Sequence, residues 1–191
     1  MDNGQLILHP DDPAYSTAPA TLSKALAETG FIGDAFGKPE EQRFLAGERF
    51  LQLITFMGCS PHIELEPQPD GSLNFCHIRI HGPLDQPLVL WGRNTTAPRC
   101  PACRKRITDW RGRIGEWERL AEAPFPCPHC HEAIAPVHLD WRRQAGSGRI
   151  FVAVQQVFPG EAVPVPELME TLAHVSHGEW GHFYLLQEND D

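Results

Sequence analysis

No stretch of the chain approaches the ~18 consecutive apolar residues that a membrane-crossing helix needs, so no membrane span is expected. The opening segment, MDNGQLILHPDDP, has no basic region and no small-residue cleavage site, so it does not read as a secretory signal. A glycine-rich phosphate loop, a Gly-x-Ser-x-Gly elbow and a His-Glu-x-x-His pair are all missing. Their absence removes the usual sequence signals of nucleotide, serine-hydrolase and zinc-hydrolase chemistry. There is no internal repeat apart from one short cysteine motif that occurs twice. Cysteine itself is scarce, and four of the six stand in two tight pairs, which fits a reducing compartment better than a secreted disulfide framework. A cytoplasmic protein is the expectation.

What is present bounds the architecture. At 191 residues the chain can build one substantial core and a small accessory module. Apolar residues at 41% and charged residues at 21% are ordinary for a globular protein. Proline is not ordinary: its 18 occurrences are close to twice the usual ~5%, and their spread predicts many turns and few long helices. The net charge of −9 conceals an asymmetry. From Arg93 to Arg149 there are 11 Lys/Arg against 6 Asp/Glu, whereas the remainder has 5 against 19. A basic middle inside an acidic frame suggests two physically distinct modules.

Residues 1–20 read as an irregular N-terminal arm. Thr21 or Ser23 is placed to cap a short helix, LSKALAETG, that ends at Gly30, and a further helical turn or two is expected over 40–46. The apolar run RFLQLITFM, the alternating HIELEP and SLNFCHIRIH, and the short LVLW read as a β-meander of about four strands, with QPDG as one of its turns. After Gly146-Ser147-Gly148 come a strong strand (RIFVAVQQVF), a helix from about Val165 to His174, and a last strand (WGHFYLL). The predicted fold is α+β: an antiparallel meander core over 21–96 and 147–191, with a C-terminal β-α-β segment and an inserted module over 97–146.

The inserted module carries the strongest signal. Cys100-Pro-Ala-Cys103 and Cys127-Pro-His-Cys130 are separated by 23 residues. Two residues between thiolates form a tight turn whose sulfurs converge on one cation, and two such turns supply the four-sulfur shell that closed zinc sites use. A thioredoxin-like redox pair needs only one such motif, at the start of a helix in a βαβ unit, and neither pair has that setting. His129 and His131 lie beside the ligands and are alternatives to a cysteine.

Over about residues 98–140 this pattern resembles the zinc ribbon. Proline after the first cysteine of each pair and the hydrophobe Ile134 beyond the second pair carry the likeness. Rubredoxins share paired knuckles but bind iron and usually have glycine after the second cysteine, where this chain has Arg104 and His131. The resemblance therefore implies one zinc ion held by Cys100, Cys103, Cys127 and Cys130. It also implies a role in binding protein or nucleic acid, or in bracing a domain. A shell closed by four thiolates leaves no position for activating water.

Arg99, Arg104, Lys105 and Arg106 flank the first knuckle, and Trp110, Trp117 and Trp141 lie near it. Together they suit nucleic-acid binding by phosphate contact and base stacking. The plainer reading is that the cations offset a doubly negative tetrathiolate centre and the tryptophans are core. The acidity of the whole chain favours the plainer reading.

The competing enzyme hypothesis rests on the meander. If QPDG closes a two-residue hairpin, His62 stands opposite His77 and Glu64 opposite Phe75. His62, Glu64 and His77 then share one face, and Cys59 sits at the adjacent loop tip as a candidate nucleophile. Ile63, Leu65, Cys76, Ile78 and Ile80 would form the opposite, core face. A one-residue slip destroys that cluster. A third group, His174, His177 and His182, straddles the end of the C-terminal helix, where histidine also has the simple role of facing the last carbonyls. The reading taken forward is a cytosolic zinc-binding protein that binds a macromolecule, a protein partner before a nucleic acid. An enzyme using Cys59, His62, Glu64 and His77 is the alternative.

Overall fold

The structure, a computed structural model, describes residues 2–57, 63–119 and 124–188. In chain order the elements begin with β1 (Asp2–Pro10), α1 (Pro19–Glu28), β2 (Ile32–Phe36) and β3 (Arg43–Ala46). A single turn α2 (Phe50–Leu53), β4 (Ile54–Phe56), β5 (Ile78–His81) and β6 (Leu88–Trp91) follow. The middle of the chain contributes α3 (Trp110–Arg119), β7 (Phe125–Pro126) and β8 (Ala133–Ile134). The last elements are β9 (Ala145–Gly148), β10 (Phe151–Gln155), β11 (Ala162–Pro164), α4 (Pro166–Ser176) and β12 (Trp180–Glu188).

The fold is α+β. Six strands form one sheet in the order β12-β1-β10-β5-β3-β2, and every neighbouring pair is antiparallel. Leu22 and Leu26 of α1 and Leu168 and Leu172 of α4 pack onto one face, against Leu6, Leu8, Ile78, Ile80, Val152 and Val154. At ~1.5–3 kcal/mol for each fully buried aliphatic side chain, this layer is a main source of stability. The other face carries a smaller core of Ile7, Phe151, Ala153, Phe183 and Leu185 under Leu84, Leu88 and Leu90. The C-terminal β-α-β order predicted from the sequence is present as β10, α4 and β12, with β1 inserted between the two strands.

The N-terminal arm is a correction. Residues 2–10 are not irregular but form β1, a sheet strand flanked by β10 and β12. Leu6, Ile7 and Leu8 are all fully buried because both sheet faces are covered, so the alternation that marks a half-exposed strand is missing. The helix α1 begins with Pro19 in its first turn, earlier than the Thr21 or Ser23 cap, and no side chain caps it. Its end is as expected, with Gly30 taking the left-handed conformation at φ 75°. The segment 40–46 gives one 3-10 turn (Pro39–Glu41) and then β3.

The meander is also corrected. Phe50, Leu53 and Ile54 are spaced three and four apart, a helical pattern, so the RFLQLITFM run winds into α2 before a short β4 that pairs with β11. No strand forms over 63–66. The turn over 68–71 is present, with the Gly71 amide donating to the Gln68 carbonyl at 3.0 Å. Beyond it the Cys76 amide donates to the Glu64 carbonyl (2.7 Å), which opposes Glu64 to Cys76 rather than Phe75. Cys76, Ile78 and Ile80 are buried, with Ile63 and Leu65 half-buried against them, as the core-face assignment requires.

A third core belongs to the middle of the chain. Trp110, Ile114 and Trp117, at helical spacing on α3, pack with Val89, Cys100, Ile107, Cys127, Ile134, Leu139 and Trp141. It is joined to the sheet by β6 and β9, which pair with each other, and by Asn94, whose side chain bonds the edge of β12. The Asn94 amide donates to the Tyr184 carbonyl and its oxygen accepts from the Leu186 amide, each at 2.9 Å.

Candidate metal centre

Each cysteine pair sits at the tip of a small hairpin. In the first, Arg99 faces Arg106, the Cys100 amide donates to the Lys105 carbonyl (3.0 Å) and the Arg104 amide to the Cys100 carbonyl (2.9 Å). The second repeats the pattern: Pro126 faces Ala133, the Cys127 amide donates to the Glu132 carbonyl (2.8 Å) and the His131 amide to the Cys127 carbonyl (3.0 Å). Arg104 and His131 occupy equivalent positions and share φ 63°. The backbone thus takes the left-handed turn that glycine would favour, at a cost of about 1–2 kcal/mol per non-glycine residue. The missing glycines alter the cost of the knuckle, not its shape.

The hairpins bring all four sulfurs together. Cys100, Cys103, Cys127 and Cys130 present Sγ atoms that lie within 4.8 Å of one another. Two of the separations, Cys100 to Cys130 and Cys103 to Cys127, are 3.8 Å. A tetrahedron of thiolates with metal–sulfur bonds of ~2.3 Å has edges of about 3.8 Å. The cluster therefore has the size of a tetrahedral thiolate shell and could hold one metal ion. The Cys103 amide points at Cys100 Sγ and the His129 amide at Cys127 Sγ, each at 3.4 Å, placing N–H donors where thiolate charge would sit.

The thiols cannot share this space as four anions without a cation. Burial pushes the Cys127 thiol up, but amide donors from Cys130 and His129 and the neighbouring sulfurs outweigh it and hold it at about 6. Cys130 has a hydrogen bond from the Glu132 backbone that lowers it, yet burial and its three sulfur neighbours drive it up to about 12. His129 is not a competing ligand: its Nε2 bonds the Arg106 carbonyl at 3.0 Å and so ties the second hairpin to the first. Arg104, Lys105 and Arg106 are exposed around the first knuckle, with Arg104 3.8 Å from Asp140. Trp110, Trp117 and Trp141 are 1%, 6% and 6% exposed, so their rings are core rather than stacking platforms.

The other candidates are placed differently. Cys59 and His62 lie outside the described residues. Glu64 is exposed, whereas His77 is buried, with its Nδ1 on the Phe75 carbonyl (2.9 Å) and its ring between Phe36 and Phe75. Desolvation holds the His77 imidazole below its usual value, so it rests there neutral. His174 and His177 have ring centroids 6.4 Å apart, and His182 stands on β12 beside Tyr184. Among the described residues, the four cysteines are the group of three or more His, Cys, Asp or Glu whose ligand atoms converge. The expectation that His77 faces away from packing is overturned. His77→Ala should cost about 2–4 kcal/mol by opening a cavity between two phenylalanine rings. Urea unfolding checks this, and a loss below about 1 kcal/mol would show that the site closes over.

No family model matches the chain, and comparison with curated proteins and with solved structures finds no match either.

Proposed function

We propose that the chain is a zinc-binding protein in which a structural tetracysteine zinc ribbon, inserted into an α+β domain, presents a surface for a protein partner. The observation that carries the zinc reading is the pair of 3.8 Å sulfur separations within a cluster of four cysteines. Four thiolates complete the shell of structural zinc and leave no open position, so the metal braces rather than reacts. Soft thiolate ligands also suit iron, and elemental analysis of purified protein separates the two. About one zinc per chain is expected, from one closed shell.

A cytosolic setting agrees with this reading, because a metal-committed tetrathiolate needs a reducing environment. No helix among the described residues is long and apolar enough to cross a membrane. The protein-binding role is supported by the closed, non-catalytic shell and by the acidic chain, which disfavours a polyanionic partner.

The nucleic-acid alternative has a direct test. If Arg104, Lys105 and Arg106 contact phosphates, binding should weaken by roughly 0.7–0.9 log units per log unit of salt for each contact. Filter binding or fluorescence anisotropy with single-stranded and duplex oligonucleotides should show no appreciable association near physiological salt. Micromolar binding with a slope of about −2 to −3 would assign the basic knuckle to nucleic acid instead.

A further inference from the structure

A cleft of about 420 Å³ lies between the cysteine module and the sheet, within the size range of small-molecule sites. Its walls come from three distant parts of the chain: the end of β1, the segment from Val137 into β9, and the start of β12. Arg142 and Arg143 form the module side. They are consecutive non-glycine residues at φ 52° and 59°, in a turn closed by the Gln144 amide on the Trp141 carbonyl at 3.0 Å. Asn-Gly is the pair that usually fills such a turn, and arginine there is a conformational outlier of the kind found at functional sites.

Both guanidinium groups are exposed and have no acidic partner among the described residues. Asp140, their nearest acid in sequence, is already engaged: one carboxylate oxygen accepts from the Arg142 amide (3.1 Å) and the other is 3.8 Å from Arg104. Asp11 is the remaining acid on the wall.

His9 and His182 supply the sheet side. His9 Nδ1 is 3.0 Å from the Pro10 carbonyl, which can only accept, so Nδ1 carries a proton and the neutral ring keeps its lone pair on Nε2. That nitrogen sits 3.0 Å and 3.1 Å from where Cβ atoms on Gly146 and Gly181 would stand. Any larger residue at either position would press on the ring. Trp141 and Trp180 complete the lining but are 6% and 7% exposed, so they back the cleft from the core rather than offer a ring to stack on.

We propose that this cleft binds a phosphate monoester of a small organic molecule. Arg142 and Arg143 donate to the phosphoryl oxygens, and a protonated phosphoryl oxygen donates to His9 Nε2. The organic body fills the remaining volume of the cleft. Two adjacent guanidinium forks match a tetrahedral anion with several acceptors better than a planar carboxylate, which one fork satisfies.

The test is calorimetric titration of the metal-loaded full chain with phenyl phosphate, with benzoate as the carboxylate of the same body. One phenyl phosphate per chain should bind, with Kd on the order of 0.1 mM or tighter. Arg142→Asn and Arg143→Asn remove the charge while keeping a residue that tolerates the left-handed turn, so the fold is preserved. Each should weaken binding at least about tenfold, and Lys24→Ala, on the far helix α1, should leave it unchanged. Three results would each overturn the assignment: no saturation up to about 10 mM, binding retained in both arginine variants, or benzoate binding as tightly as phenyl phosphate.

Discussion

Cys127→Ser should leave the protein with less than about a tenth of an equivalent of metal and an unfolded cysteine module. Cys127 is fully buried and its sulfur is 3.8 Å from that of Cys103, so serine removes one corner of the tetrahedron and places a hard oxygen among soft ligands. Apparent metal-binding free energies in small zinc modules are about 10–16 kcal/mol near neutral pH, far more than the packing of so small a unit supplies alone. Cys100 and Cys127 themselves lie in the core formed by Trp110, Ile114, Trp117 and Trp141, so loss of the metal opens that core from its centre. The six-stranded sheet has its own two cores and should persist. The expected signature is tryptophan emission shifted to the red, with much of the sheet signal in far-ultraviolet circular dichroism retained. Full metal content in Cys127→Ser, or native emission without metal, would remove the basis for the ribbon.

The parts of this molecule that were legible in its sequence are those in which neighbouring residues act together. A Cys-x-x-Cys pair makes its own turn, so two pairs announce a four-sulfur cluster without knowledge of the fold, and the sulfurs do converge. The segment from β10 to β12 was legible because its strands and helix have clear periods. β1 was not, since burial on both faces erases the alternation and Asn3-Gly4 and Pro10 look like turn residues. The burial of His77 was not legible for a different reason. Cys76, Ile78 and Ile80 keep the core face, but the opposite face is covered as well, by Phe36 and Phe75, which no pattern in the hairpin announces. The cleft was invisible in the sequence because its walls come from residues near positions 10, 140 and 180. Only backbone angles mark Arg142 and Arg143 as unusual, and the letters Arg-Arg give no turn signal.

Trp110→Ala tests whether the small core and the metal shell form one cooperative unit. Trp110 is 1% exposed and stands edge-on to two other indoles, Trp91 at 5.1 Å and Trp141 at 5.3 Å between centroids. The guanidinium of Arg111 lies 4.3 Å from its ring centre. Removing such a side chain from a packed interior costs about 3–5 kcal/mol, part of it the area lost and part the cavity left behind. No sulfur is touched, so metal stoichiometry should stay at about one per chain. If metal binding is folding of the module, the same free energy must appear in the metal affinity, with each ~1.4 kcal/mol amounting to a tenfold loss. Competition with a chelator should then show metal held about a hundredfold or more weakly than in the parent protein. An unchanged affinity beside a lowered thermal midpoint would mean that the four knuckle cysteines close on the ion independently of the tryptophan core. In that case the ribbon would be a clip on the domain and not part of its folding.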